Sequence, residues 1–127
     1  MANLVTWFEI PTSDIERAKT FYRTILGIKE ELRQENLGGD MPYAFLPMEP
    51  GDVSGALVQH PNYKPGEGQG VCVYLVVHGD LNDTLAKVEE AGGSVLIPKM
   101  PLGEMSPGYM AQITDSESNR IGLWSAE

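Results

Sequence analysis

Side chains able to do chemistry are scarce in this chain and widely scattered. There are two histidines, His60 and His78, and a single cysteine, Cys72. One cysteine allows no intrachain disulfide and no multi-cysteine zinc site. His78 stands just ahead of "GDLND", where a surface or capping role is expected. His60 opens the Pro- and Gly-rich stretch "PNYKPGEGQG" and could reach the rim of a cleft. Cys72 neighbours Val73 in an apolar run and is expected to be an inert thiol on the helix side of a strand. Glu9 is the most informative acid. It lies in "LVTWFEI", and a carboxylate set against apolar walls can serve as a general acid or base. The competing reading is that Glu9 pairs with Arg120 or a tyrosine hydroxyl and only ties a sheet together. "MPLGEMSPG" carries no phosphate-binding pattern, so nothing points to a nucleotide.

Bulk properties narrow the partners. The chain has 127 residues and a formal net charge of −9, with 42% hydrophobic and 21% charged residues. That suits one globular domain spanning 1–127 with a core of its own. Excess negative charge without a basic run argues against nucleic acid, whose phosphates need clustered Lys and Arg. The start "MANLVTWFEIP" lacks the order of a signal peptide, and the run "VCVYLVV" is too short to cross a bilayer. No membrane partner and a cytoplasmic location are therefore expected.

The elements that must position these residues are legible from periodicity. "LVTWFEI" reads as a strand closed by Pro11. Ser13 and Glu16 form an S-x-x-E capping box, so a helix is predicted from Asp14. Ile15, Ala18, Phe21, Tyr22, Ile25 and Leu26 recur at helical spacing as its buried stripe, and Gly27 is its stop. Strands are predicted at Ile28–Arg33, Tyr43–Met48 and Ser54–His60. The loop 61–70 follows, and then the pattern restarts. "GVCVYLVV" is a strand, Asp80 caps a second helix, and strands are predicted at Ser94–Ile97, Tyr109–Thr114 and Arg120–Ser125. Asp14 and Asp80, Gly27 and Gly93, Tyr43 and Tyr109, and Leu57 and Leu123 all share an offset of 66. Such a constant offset predicts a duplicated βαβββ unit, with modules at 4–60 and 71–125, in an α+β fold. Two helix-backed sheets side by side would then enclose a hollow.

Three stretches carry a resemblance: "FEIPTSDIERAKTFYRTILGI", "YLVVHGDLNDTLAKVEEAGG" and "YMAQITDSESNRIGLWS". Together with the βαβββ order they resemble the vicinal oxygen chelate superfamily, which contains glyoxalase I, bleomycin-resistance proteins and extradiol dioxygenases, and within it the small glyoxalase-like proteins. The resemblance implies tandem modules forming an open, cup-shaped mixed barrel, usually as a homodimer. It also implies four metal-ligand positions, which fall here on Trp7, Ala56, Val73 and Gly122. These side chains offer no usable donor to a divalent cation, so a metal-free cup with no cofactor is expected. That expectation depends on the register of two strands.

Strand alternation extends the lining of the expected cup. Trp7 brings Glu9 onto its face, Ala56 brings Ser54 and Val58, Val73 brings Leu75 and Val77, and Gly122 brings Arg120 and Trp124. Trp7 and Trp124 could stack on a flat ligand or simply plug the core. Tyr43 and Tyr109, at matching repeat positions, would have a structural role, with Tyr43 bordering the site. "KMPLGEMSPGYM" reads as a flap carrying Met100 and Met105, or as an ordinary long hairpin. Three functions fit this lining. One is a metal-independent binder of a small, partly apolar or aromatic molecule. Another is a glyoxalase-like lyase or isomerase using Glu9 as its acid–base group. The third is an interaction module whose cup is vestigial and filled by its own tryptophans.

Overall fold

The computed structural model describes residues 5–68 and 70–127. Its strands are β1 (Trp7–Thr12), β2 (Gln34–Leu37), β3 (Met41–Phe45), β4 (Ser54–Gln59), β5 (Val73–Val76), β6 (Ser94–Pro101), β7 (Tyr109–Thr114) and β8 (Arg120–Ser125). Helix α1 (Ile15–Leu26) follows β1, and α2 (Leu81–Ala91) follows β5. Two four-stranded sheets result, ordered β1-β4-β3-β2 and β5-β8-β7-β6. In each, the first and last strands of the module run parallel and the remaining pairs antiparallel. The predicted pair of βαβββ modules is therefore present. Among the described residues the two sheets remain separate, and no closed barrel forms.

Local chemistry explains the helices. Asp14 caps α1 by accepting from the Arg17 backbone N–H, and Gly27, at φ 68°, supplies the left-handed exit. Ser13 is not the cap that the S-x-x-E pattern suggested. Asp80 caps α2 through the Asn82 N–H, and Gly92, at φ 111°, ends it within "AGG".

The core lies between the sheets. Phe21, Tyr22 and Ile25 of α1 and Leu81 and Val88 of α2 are fully or almost fully buried. They join Ile10, Ala44 and Leu57 of the first sheet and Ala111, Ile113, Ile121 and Leu123 of the second in one cluster. Each such aliphatic or aromatic side chain contributes about 1.5–3 kcal/mol on burial. Both sheets thus spend one face on the same core, and α1 packs directly against α2.

The turn between β7 and β8 latches the second module onto the first. Glu117 accepts at Oε1 from the backbone N–H groups of Ser13 (2.9 Å) and Asp14 (3.0 Å). Its Oε2 accepts from Arg17 Nε at 2.7 Å. Burial pushes the Glu117 carboxyl up, but Arg17, the Ser13 and Asp14 N–H groups and the Ser116 hydroxyl outweigh it and hold it at about 2. Beside it the buried Tyr22 hydroxyl donates to Asp115 Oδ2 (2.6 Å), and Asn119 Nδ2 donates to the Pro11 carbonyl (2.8 Å).

Pairing corrects the repeat register. Equivalent core positions are Ile10 and Leu75, each opposite a leucine, Leu57 or Leu123, which in turn faces Ala44 or Ala111. The offset is therefore 65 in β5, 66 in β8 and 67 in β7. One extra residue precedes α2, in the turn where Gly79 adopts φ 90°. Tyr43 and Tyr109 are consequently not equivalent: Tyr43 pairs with Val58, whereas Tyr109 pairs with Ser125.

Other boundaries shift too. Residues 28–33 form no strand; Leu32 is buried in the core and β2 begins at Gln34. β2 is an exposed edge strand rich in polar residues, which discourages further pairing. The expected flap is partly regular: β6 runs to Pro101, and Gly103–Met105 form a short 3-10 turn. Met100 is exposed in β6, while the Met105 side chain lies outside the described residues.

Candidate functional site

The face of the first sheet turned away from the core carries Trp7 and Glu9 from β1, Tyr43 and Phe45 from β3, and Ala56 and Val58 from β4. Tyr43, Ala56 and Val58 form a second apolar cluster there, with Trp7, Met41, Phe45 and Tyr63 packed on it. Alternation produces this arrangement: Phe8 and Ile10 point to the core, so Trp7 and Glu9 point out. Gly55 sits under the Phe8 ring, where a Cβ would come within 2.6 Å of it.

A chain of polar contacts crosses this face. The Trp7 indole N–H donates to the Tyr43 hydroxyl oxygen at 2.6 Å, and the Tyr43 hydroxyl donates to Glu9 Oε2 at 2.8 Å. From the loop after β4, the Tyr63 hydroxyl donates to Glu9 Oε1 at 2.7 Å. Burial, and beyond it the Glu9 carboxylate, raise the Tyr43 phenol against the opposing effect of Trp7. The hydrogen bond to Glu9 is the main cause raising Tyr63. Both phenols therefore stay protonated donors at neutral pH. Trp7 meets Phe45 edge-on at 6.0 Å, Tyr43 meets Phe45 at 5.2 Å, and His60 meets Tyr63 at 6.2 Å. Ala56 and Val58 are fully buried beneath these rings. Glu9 itself is exposed, and among the described residues no Lys or Arg forms an ion pair with it. Of the two tying roles considered for Glu9, the tyrosine contact occurs and the Arg120 contact does not.

The corresponding face of the second sheet is chemically different. Arg120 Nη1 donates to Gln112 Oε1 at 2.6 Å and its Nε to the Gly68 carbonyl at 2.9 Å, while Gln112 Nε2 donates to the Tyr74 hydroxyl oxygen at 2.7 Å. The Trp124 indole N–H donates to the Pro107 carbonyl at 3.2 Å. Gly122 belongs here because the Tyr74 ring lies over it, 2.4 Å from where a Cβ would stand. Tyr74 is thus the β5 residue on this face. Val73 and Leu75 lie on the opposite side of the strand, where Leu75 packs on the core. Val77 is buried in that core. Cys72 is half-buried near Arg120 and the Gly122 backbone, rather than on the helix side. Burial raises its thiol, partly offset by Arg120.

The candidate residues therefore fall into three groups. Trp7, Glu9, Tyr43, Ala56 and Val58 come together, and so do Arg120, Gly122 and Trp124. Val73 and Leu75 instead line an open cleft of about 1130 Å³ between the modules, which Trp7 and Ser54 also border. The free edge of β5 and the C-terminal end of α1 wall this cleft, with His78, Asp83 and Lys87 at its margin. Tyr63 and Tyr74 escaped the sequence reading. Tyr63 sits in an irregular loop, and Tyr74 sits one step out of register.

The implied cation positions do not fit a metal. Trp7 offers only a donor N–H, and Ala56 and Gly122 offer nothing. The corrected register puts Cys72, not Val73, at the position equivalent to Trp7 in the repeat. One thiol, raised by burial, does not make a set that grips a divalent ion. Among the described residues, no three His, Cys, Asp or Glu side chains converge as a cation site. No described helix is long and apolar enough to cross a membrane.

Residues 4–123 match the model of the Glyoxalase/Bleomycin resistance protein/Dioxygenase superfamily. The chain belongs to that superfamily. A Mycobacterium tuberculosis protein named "Putative glyoxylase CFP32" is 29% identical over 124 residues, covering 94% of this chain and 44% of its own length. The chain thus spans less than half of the curated relatives it matches. Among solved structures, TnmS3, an antibiotic binding protein from Streptomyces sp. CB03234, is 28% identical, with a TM-score of 0.66 over 99% of this chain and 98% of that one. Glyoxalase I from Zea mays shares the fold at 21% identity, with a TM-score of 0.65 over 95% of this chain and 45% of that one. Superfamily membership fixes the scaffold and leaves the chemistry to the side chains on it.

Proposed function

We propose that this superfamily member is a metal-independent binder of a small, partly apolar or aromatic molecule, held on the outward face of the first sheet. One observation carries the reading: an exposed carboxylate, Glu9, is oriented by two phenol donors within a wall of aromatic rings. Apolar walls with a few fixed polar groups are what small-molecule sites offer. The antibiotic-binding role of TnmS3, similar along its whole length, supports a binding reading. The donor-poor ligand positions support independence from a metal. The test is a titration with small aromatic compounds, following Trp7 fluorescence in a Trp124→Phe background. Saturable quenching is expected, and Trp7→Phe in the otherwise wild-type chain should weaken the same binding at least about fivefold by isothermal titration calorimetry. A flat response across neutral, cationic and anionic aromatics would overturn the reading.

A second reading, a lyase or isomerase with Glu9 as acid–base group, is favoured by the exposure of Glu9 and the hydroxyls bound to it. Glu9→Gln separates the two, because it would abolish turnover of a found substrate under this reading.

The working unit in this proposal is a homodimer. Val5, Val53, Val71, Tyr74 and Val76 are all exposed and all border the cleft beside the free β5 edge. An apolar border along an unpaired strand is surface that a second copy would cover.

A further inference from the structure

We infer that the Glu9 face selects an organic cation, specifically a protonated or quaternary amine attached to an apolar body. This rests on the binding reading above and specifies the charge of the ligand. Four features of the face point the same way. First, Glu9 is exposed and has no ion-pair partner among the described residues, so its charge is directed at whatever occupies the face. Second, its two neighbours are phenols that donate to its oxygens, one to each, leaving further lone pairs on both for an incoming N–H. Third, the surrounding wall consists of Trp7, Tyr43, Phe45 and Tyr63, whose ring faces attract cations and are indifferent or hostile to anions. Fourth, the chain carries a net charge of −9, which raises the local concentration of cations and repels anionic ligands.

The face already displays the interaction once. The Arg33 guanidinium lies 4.2 Å over the Phe45 ring. This internal cation does not neutralise Glu9. Phe45 pairs with Ala56, which pairs with Glu9, so Arg33 stands at the far margin, roughly 10 Å or more away across the intervening strands. Arg33 instead leans toward Glu35, at 3.6 Å. The half-buried Trp7 and the exposed, unpaired charge of Glu9 are left for a ligand.

The test uses the full-length wild-type protein and three soluble probes of similar size: benzyltrimethylammonium, benzyl alcohol and phenylacetate. Binding is followed by chemical-shift changes of the Trp7 indole N–H. Benzyltrimethylammonium is expected to bind at least about tenfold more tightly than benzyl alcohol, with phenylacetate weakest. Raising the salt from about 0.05 M to about 0.5 M should weaken the cation alone. Glu9→Gln, whose fold is checked by circular dichroism, should erase most of the preference for benzyltrimethylammonium over benzyl alcohol. Equal affinity for the cation and the alcohol would overturn the charge selectivity and leave the aromatic binding site standing. Tighter binding of phenylacetate would overturn it as well. If none of the three perturbs Trp7, both the selectivity and the binding reading fall.

Discussion

Glu117 and Arg17 are 100 residues apart in the chain and 2.7 Å apart in space. The contact joins the second module to the first turn of α1 at a point where the Glu117 side chain is fully buried. Glu117 is held at about 2 in the folded chain, well below its ordinary value of 4.5. A depressed folded value means that the contribution is complete above pH 4.5 and is lost as pH falls toward 2. Because Arg17 is half exposed, solvent screens the pair, and a loss of about 2 kcal/mol is expected over that window. Urea unfolding at pH 7, 4 and 3 checks this. Glu117→Gln should be less stable than wild type at pH 7, and the gap should shrink as pH falls. A constant gap would remove Glu117 from the acid response.

Glycines at two close approaches should respond differently to a methyl group. At Gly93 the added carbon would meet the Thr114 carbonyl at 2.2 Å, and backbone cannot easily retreat. At Gly122 it would meet the Tyr74 ring, an exposed side chain able to swing outward. Gly93→Ala should therefore cost more than Gly122→Ala, by at least about 1–2 kcal/mol. Tyr74→Ala should relieve most of the Gly122→Ala penalty in a double-mutant cycle.

Tyr43→Phe removes the acceptor of the Trp7 N–H and one donor to Glu9 while keeping the ring. A stability loss of about 0.5–1.5 kcal/mol is expected, together with a shift in Trp7 emission. Tyr63→Phe touches only Glu9, so it should change ligand affinity more than stability.

Purified protein should carry no stoichiometric transition metal by elemental analysis, and dialysis against a chelator should move Tm by less than about 2 °C. A metal bound through protein donors would add folding free energy, and its removal would be visible in Tm.

Val76→Lys places a charge in the exposed apolar border of the cleft. Native mass spectrometry should report a dimer for wild type and a shift toward monomer for this variant, with the circular dichroism spectrum unchanged. A wild-type monomer at all concentrations would remove the homodimer from the proposal.

The duplicated architecture was legible because its signals are local: Asp14 and Asp80 as caps, Gly27 as a stop, and the alternation in β7 and β8. The face of β5 was not legible. "VCVYLVV" is hydrophobic at every position, so nothing in its pattern says which set of side chains points inward. Counting back from Asp80 then misplaced the strand by one residue, because the turn at Gly79 holds an extra residue that the first module lacks. Tyr43 and Tyr109 matched by number for the same reason, as unequal turn lengths partly cancelled along the chain. Glu117 stands within "DSESN", yet its grip on Arg17 depends on how the two modules pack, and no local pattern records that. Tyr63 reaches Glu9 from a loop without periodicity, so only its aromatic character marked it.

The single core built from the inward faces has a consequence for how such a chain can change over generations. Cohesion depends on Ile10, Leu57, Ile113, Leu123 and the two helices, whereas Trp7, Glu9, Tyr63, Gln112 and Arg120 all lie outside that cluster. Under the binding proposal, replacing the outward residues would redraw what is recognised without loosening what keeps the molecule together. Each half would also be free to drift separately, one side changing its ligand while the other kept its own lining.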